Sequence, residues 1–306
     1  MNLSSLLDQC DAHVRDELAT MPDVEDVANF DPVNEAPPIT ARRWFRLTDA
    51  VAVVADLKSS TKLGLQKNAR STASIYEAAL RPVVDIFHEF GAGWIPIQGD
   101  CVVGIFWDYR AVERAICAGI TVKTFSERHL VDRLTKKWPE SLPPTGFKVG
   151  TATSTVLVKR IGRPASPHQA LVWPGKALNY AVKAAQSGDT GELIVTGSMW
   201  DAIEDNDYLT FTCDCSTPSP SLWHDHYIDK LDHDDVERAG RALTSSWCTV
   251  CGEDFCTRIL EGEKRRDVVD GYRVNLHNSL FQEAIAKKFA TERANRRNLL
   301  RLRSGR

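Results

Sequence analysis

Apolar residues fall along this chain in short continuous runs, separated by longer stretches with helical spacing. The run Ala50-Val51-Ala52-Val53-Val54-Ala55-Asp56-Leu57 is apolar at every position but one. It predicts a buried strand over about 49–57. From about 59 to 90 the apolar positions Ile75, Ala79, Val83, Ile86, Phe87 and Phe90 share one helix face, and Gly91-Ala92-Gly93 ends the helix. Trp94-Ile95-Pro96-Ile97-Gln98, then Gly99-Asp100, then Cys101-Val102-Val103-Gly104-Ile105-Phe106 reads as a hairpin. A second long helix is predicted over about 109–137, stopping before Pro139. A strand over 146–153, a polar loop, a helix from Gly175 to about Gln186 and a strand over 192–196 complete the pattern.

This order is βαββαβ with an added αβ. It predicts an α+β fold of the ferredoxin-like or polymerase-palm kind, an antiparallel sheet covered on one face by helices. Residues 1–45 read as an N-terminal extension and linker, with an amphipathic helix over about 4–20 and an acidic connector that ends at Pro37-Pro38. Residues 46–212 form the central domain. Residues 213–306 form a Cys/His-containing region that ends in a Lys- and Arg-rich helix over about 278–301.

Composition narrows the class of protein. The 306 residues are 43% hydrophobic and 26% charged, ordinary for a soluble globular chain. No apolar run approaches the roughly 18–20 residues needed to span a bilayer. The N-terminus lacks the basic and apolar regions of a signal peptide. A cytoplasmic location with reduced cysteines is therefore expected, without a membrane partner. A net charge of −3 argues against a stable nucleic-acid complex. The basic tail from Ala284 to Arg306 reads as a solvated helix end, with phosphate contact as the alternative. The Trp44-Phe45 pair reads as core or interface packing, with base stacking as the alternative.

The candidate chemistry lies at two strand ends. Asp56 closes one apolar run and Asp100 sits at the hairpin turn. Each has a plain structural role available, Asp56 as a helix cap and Asp100 as a turn residue. Together they offer two carboxylates whose repulsion a divalent cation relieves, suited to Mg²⁺ or Mn²⁺ and phosphoryl transfer. Lys58, Ser59, Ser60 and Thr61 lie between strand and helix, where backbone N–H groups favour phosphate. Further on, Cys213, Cys215, Cys248, Cys251 and Cys256, with His224 or His226, offer ligands for tetrahedral Zn²⁺; buried free thiols are the alternative.

Four segments resemble the class III nucleotidyl cyclases, in that family's order and over about 49–212. Val54-Ala55-Asp56-Leu57-Lys58-Ser59-Ser60-Thr61 resembles the first metal motif, and Ile97-Gln98-Gly99-Asp100 the second. Phe147-Lys148-Val149-Gly150-Thr151-Ala152 resembles the strand before the dimer-forming arm, and 173–185 the helix that supplies transition-state residues. The resemblance implies two Mn²⁺ or Mg²⁺ ions per site, held by Asp56, Asp100 and the main-chain carbonyl of Leu57. It implies catalytic roles for Asn179 and Lys183, the latter standing where the family carries Arg. It also implies a homodimer with shared active sites, in which Asn179 and Lys183 reach the partner's metal site.

Two departures bear on substrate. Purine-selective members carry a Lys or Glu four residues before the second metal Asp, and an Asp or Cys seven residues before the Asn. Here those places hold Pro96 and Val172, which cannot hydrogen-bond a purine edge. The pattern resembles the pyrimidine cyclases of bacterial anti-phage signalling, known as Pycsar. The expected reaction is UTP to cyclic UMP, which would activate an effector with a cyclic-nucleotide-binding domain. Cyclic CMP synthesis, a purine cyclase with an unusual pocket and a non-catalytic nucleotide sensor are the alternatives. Diguanylate synthesis is disfavoured because no Gly-Gly-Asp/Glu-Glu-Phe turn stands at the hairpin.

Overall fold

The computed structural model describes residues 2–65, 67–140 and 142–273. The elements in chain order are α1 (Leu3–Ala19), β1 (Asp23–Asp26), β2 (Arg43–Leu57), α2 (Ser60–Leu65), α3 (Ala69–Glu89), β3 (Ile97–Gln98) and β4 (Cys101–Phe106). Then follow α4 (Ala111–Phe125), a π-helical stretch (Ser126–Val131), α5 (Asp132–Lys137), β5 (Phe147–Gly162), β6 (Gln169–Val172), α6 (Lys176–Ser187) and β7 (Leu193–Val195). The last are α7 (Gly197–Ile203), α8 (Asp207–Thr210), β8 (Trp223–Tyr227), β9 (Ala239–Leu243) and α9 (Gly252–Glu261). The basic helix expected over 278–301 lies outside the described residues.

The fold is α+β, built on one mixed sheet in the order β3-β4-β2-β5-β7-β9-β8. At its centre β2 runs antiparallel to both β4 and β5, while β5 and β7 are parallel. Residues Ala50 to Ala55 are each 0–1% exposed. A strand buried on both faces must be covered on both faces. Val51, Val53, Ala55 and Leu57 pack into a core with α3 and α4, whereas Ala50, Ala52 and Val54 pack with Ala177, Ala181 and Ala185 of α6. Helices therefore lie on both sides, correcting the expectation of a single helical layer.

Several boundaries also differ from expectation. β2 begins at Arg43, with its register to β5 shifting between Leu47 and Ala50, where Thr48 and Asp49 form a bulge. The expected helix over 59–90 divides into α2 and α3, because Asn68 starts a new cap, its Oδ1 accepting from Ser71 N at 2.9 Å. Ile75, Ala79, Val83 and Phe87 then form the buried stripe of α3. The expected polar loop after Thr153 is a continuation of β5, which pairs with β6.

Both flanking regions join the same sheet. β1 pairs in parallel with β2, and Phe30 stacks on Trp107 with ring centroids 5.3 Å apart. Phe45 is buried in this aromatic cluster, while Trp44 carries Lys159 over its ring at 5.8 Å. At the other end, β9 pairs with β7 and β8 with β9. No helix among the described residues is long and apolar enough to cross a membrane.

Candidate active site

Asp56 is placed by the ladder that makes the core. Its Cα partners are Cys101 on β4 and Lys148 on β5, so the three form one row across the sheet. Strand alternation puts Asp56 on the face shared by Ala52 and Val54, the face on which α6 lies. Asp100 comes from the two-residue turn between β3 and β4. Gly99 has φ +65° and Asp100 has no positive φ, the pattern of a II′ hairpin that needs glycine at its first central position. Leu57 N donates to Asp100 O at 3.4 Å, tying the two strand ends together.

The electrostatics reflect crowded negative charge. Burial pushes the Asp56 carboxyl above its ordinary range; Lys148 opposes this and Asp100 adds to it. Lys148 Nζ lies 3.7 Å from Asp56 Oδ2. The neighbouring Cys101 thiol is pushed up to about 12, first by burial and then by Asp56 and Asp100, so it stays protonated. Two half-buried carboxylates in this setting form an oxygen donor set that fits a hard divalent cation.

The segment after Asp56 is held by its surroundings. Lys58 N donates to Gly146 O at 3.0 Å, and Thr145 Oγ1 donates to Lys58 O at 2.9 Å. The Lys58 ammonium pairs with Asp189, which pulls that carboxyl below its usual range. Ser59 sits in the left-handed region at φ 61°, an uncommon place for a non-glycine residue. Ser60 and Thr61 open α2.

Asn179 and Lys183 lie one turn apart on α6, which is set very close to β5. A Cβ at Gly150 would meet Ala181 O at 2.2 Å and Ala185 N at 2.3 Å, so only glycine admits the helix there. Asn179 is exposed and donates weakly to Gly175 O at 3.5 Å. Lys183 Nζ lies 5.7 Å from the Tyr180 ring centroid. Tyr180 donates its hydroxyl proton to Asp235, holding that carboxyl low. Among the described residues, no hydrogen bond or ion pair joins Asn179 or Lys183 to Asp56 or Asp100 of the same chain. Pro96 accepts from Val103 N at 3.0 Å, and Val172 pairs with Lys159 at the end of β6. Both are half-buried.

Of the five candidate zinc cysteines, four converge: Cys213, Cys215, Cys248 and Cys251. Cys256 instead meets Cys117 of α4, whose thiol is pushed well up by burial and by that neighbour. His224 and His226 stand apart on β8, and His226 Nε2 lies 2.9 Å from Ser187 Oγ. Lys148 and Asp189 carry no role in the sequence reading. The signal for Lys148 was a lone charge within the apolar run of β5; Asp189 had none, because its partner is 131 residues away.

The chain is 50% identical over 296 residues to a uridylate cyclase from Micromonospora echinofusca, covering 97% of this chain and 96% of that protein. It is 44% identical over 290 residues to a uridylate cyclase from Propioniciclava tarda, covering 94% and 93%. Among solved structures, the adenylyl cyclase CyaB from P. aeruginosa aligns with a TM-score of 0.47 and 19% identity, over 56% of this chain and 85% of that one. No protein-family model matches the chain.

Proposed function

The chain belongs to the uridylate cyclase family of nucleotidyl cyclases, and we propose that it converts UTP to 3′,5′-cyclic UMP and diphosphate. The observation that supports this reading is the placing of Asp56 and Asp100 at neighbouring strand ends, Asp56 opposite Cys101 and Leu57 N donating to Asp100 O, in a chain 50% identical to a uridylate cyclase over nearly its whole length. In this reading Asp56, Asp100 and the Leu57 carbonyl would hold two Mg²⁺ or Mn²⁺ ions. When bound there, the ions supply Lewis acidity to the attacking hydroxyl and charge neutralisation to the triphosphate.

The rest of the work falls to the chain. The 3′-oxygen forms a bond to the α-phosphorus, the bond from that phosphorus to the bridging oxygen breaks, and diphosphate leaves with the electron pair. The 3′-hydroxyl proton passes to solvent or to a phosphate oxygen. Lys148 places an ammonium group beside Asp56, where it can take a triphosphate oxygen, and Lys58, paired with Asp189, supplies a second cation on the segment after Asp56. Ser59, Ser60 and Thr61 offer backbone N–H and hydroxyl groups at the same end of the strand. Asn179 and Lys183, exposed and half-buried on α6, act on the site of a second copy in a homodimer. Asn179 orients the ribose, and Lys183 steadies charge on the transferring phosphate without the bidentate fork of Arg.

The product would serve as a second messenger in anti-phage defence, read in the cytoplasm by a separate effector with a cyclic-nucleotide-binding domain. The direct test is to incubate the purified protein with Mn²⁺ and UTP and to identify the products by mass spectrometry. Cyclic UMP and diphosphate in equal amounts are expected. Absence of any cyclic product from all four ribonucleoside triphosphates would overturn the catalytic reading.

A further inference from the structure

Outside the carboxylate site, a second cluster of ligand-type side chains stands where the chain closes on itself. Cys213 and Cys215 follow α8, whereas Cys248 and Cys251 precede α9. Their Sγ atoms all lie within 4.8 Å of one another. Cys215 Sγ is 3.8 Å from Cys248 Sγ and 3.8 Å from Cys251 Sγ. Four thiolates around zinc at about 2.3 Å form a tetrahedron with edges of about 3.8 Å. A disulfide needs roughly 2.05 Å, and all eight cysteines are free.

The backbone around the cluster suits thiolates. Val250 N points its hydrogen at Cys248 Sγ from 3.5 Å, and Gly252 N donates to Cys248 O at 2.9 Å, closing a tight turn. The Val250 N–H aimed at sulfur orients that ligand and stabilises its charge. Four thiolates on one Zn²⁺ carry two net negative charges. The fold brings two guanidinium groups to residues beside the cysteines: Arg128 donates to Trp247 O, next to Cys248, and Arg266 pairs with Asp214, between the first two cysteines.

We propose that Cys213, Cys215, Cys248 and Cys251 bind one structural zinc ion. Binding replaces four thiol protons with four Zn–S bonds, releases those protons to solvent and changes no oxidation state. The donor set is complete, so no position is left for substrate or water. The ion would tie the two ends of the excursion that carries β8 and β9, the strands that finish the sheet. It would also fix the turn that starts α9, where Trp247 Nε1 donates to Thr121 Oγ1 of α4 at 2.9 Å. Cys256 and both histidines are outside the set. The inference stands on the cysteine geometry and does not depend on the cyclase reading.

The test uses the full chain, grown with zinc and purified under reducing conditions without chelator. Metal content by plasma mass spectrometry should be one zinc per chain. X-ray absorption at the zinc edge should show four sulfur neighbours at about 2.3 Å. Cys248→Ser and Cys251→Ser should each lose the metal, while Cys256→Ser and Cys10→Ser keep it. The wild-type measurements hold even where a variant fails to fold. Zinc below about a tenth of an equivalent after reconstitution would overturn the proposal. So would a nitrogen or oxygen shell, a different stoichiometric metal, or a disulfide mass between these cysteines in protein kept reduced.

Discussion

Lys148 and Asp56 oppose each other across the β5–β2 ladder, with Nζ 3.7 Å from Oδ2 and side chains 17% and 28% exposed. The pair is the cationic counterweight to a carboxylate that burial and Asp100 push toward its protonated form. Removing the cation should push Asp56 further in the same direction. Lys148→Met is expected to move the acid limb of the kcat/KM profile to higher pH, and to lower the rate near neutrality by about tenfold. Lys148→Arg should restore part of both. A pH–rate profile measured on UTP checks this, and an unmoved acid limb would count against the coupling.

The same raised pKa sets the sign of a stability effect. Folding raises Asp56 above its ordinary value of 3.8, so the folded state holds the proton more tightly than the unfolded state. The stabilisation this gives is fully present below the ordinary value and is lost as pH rises through the folded value. Near neutrality the ionised carboxylate therefore costs stability in metal-free protein. Asp56→Asn should raise or preserve Tm in EDTA near neutral pH. On the proposal that Asp56 holds metal, loss of its carboxylate removes several kcal/mol of Lewis-acid stabilisation, and Asp56→Asn should also lower activity by at least about a hundredfold. Thermal unfolding beside a product assay checks both; a lower Tm in EDTA would show that Asp56 stabilises the empty fold.

The parts of this site visible in the sequence are those set by local pattern. The run ending at Asp56 announced a buried strand, and Gly99-Asp100 between apolar runs announced the hairpin. What escaped depends on contacts distant in sequence. β8, Trp223-His224-Asp225-His226-Tyr227, is polar because it lies at the sheet edge and buries only Trp223 fully, so only pairing with β9 makes it a strand. The expectation of helices on one face missed the second layer, because α6 reaches β5 only over the bare backbone at Gly150, a contact distant in sequence. The cysteine cluster was half legible: spacing offered five thiols, and only the turns after α8 and before α9 select four.

Sharing of sites between two copies can be tested by mixing. If Asp56 and Asp100 of one chain work with Asn179 and Lys183 of another, each dimer holds two equivalent sites. Asp56→Ala and Lys183→Ala chains should each be inactive alone. A heterodimer of the two has one site with both lesions and one with neither. An equal mixture that exchanges subunits should therefore recover about a quarter of wild-type activity, since half the dimers carry one intact site. Recovery is measured as cyclic product formed after mixing, with exchange verified by mass-tagged chains. Activity that stays at the level of the separate variants, despite exchange, would put one lesion in each site and so assign Asp56 and Lys183 of the same chain to the same site.

Base selection follows from what stands at two positions in the reading proposed above. Pro96 carries no N–H and uses its carbonyl on Val103 N, and Val172 offers only an aliphatic side chain. Neither can read a purine edge, so selectivity must come from pocket size and from polar groups elsewhere. A small pocket excludes a purine sterically. Groups arranged for one pyrimidine edge penalise the other, because mismatched donors and acceptors are left unpaired. In competition, UTP should be cyclised at least about a hundredfold faster than ATP or GTP, with CTP the nearest rival. Relative kcat/KM values from one mixed-substrate reaction, resolved by mass, give the answer. Equal use of UTP and ATP would refute a pyrimidine-selective pocket, and a preference for CTP would keep the mechanism while replacing uracil with cytosine.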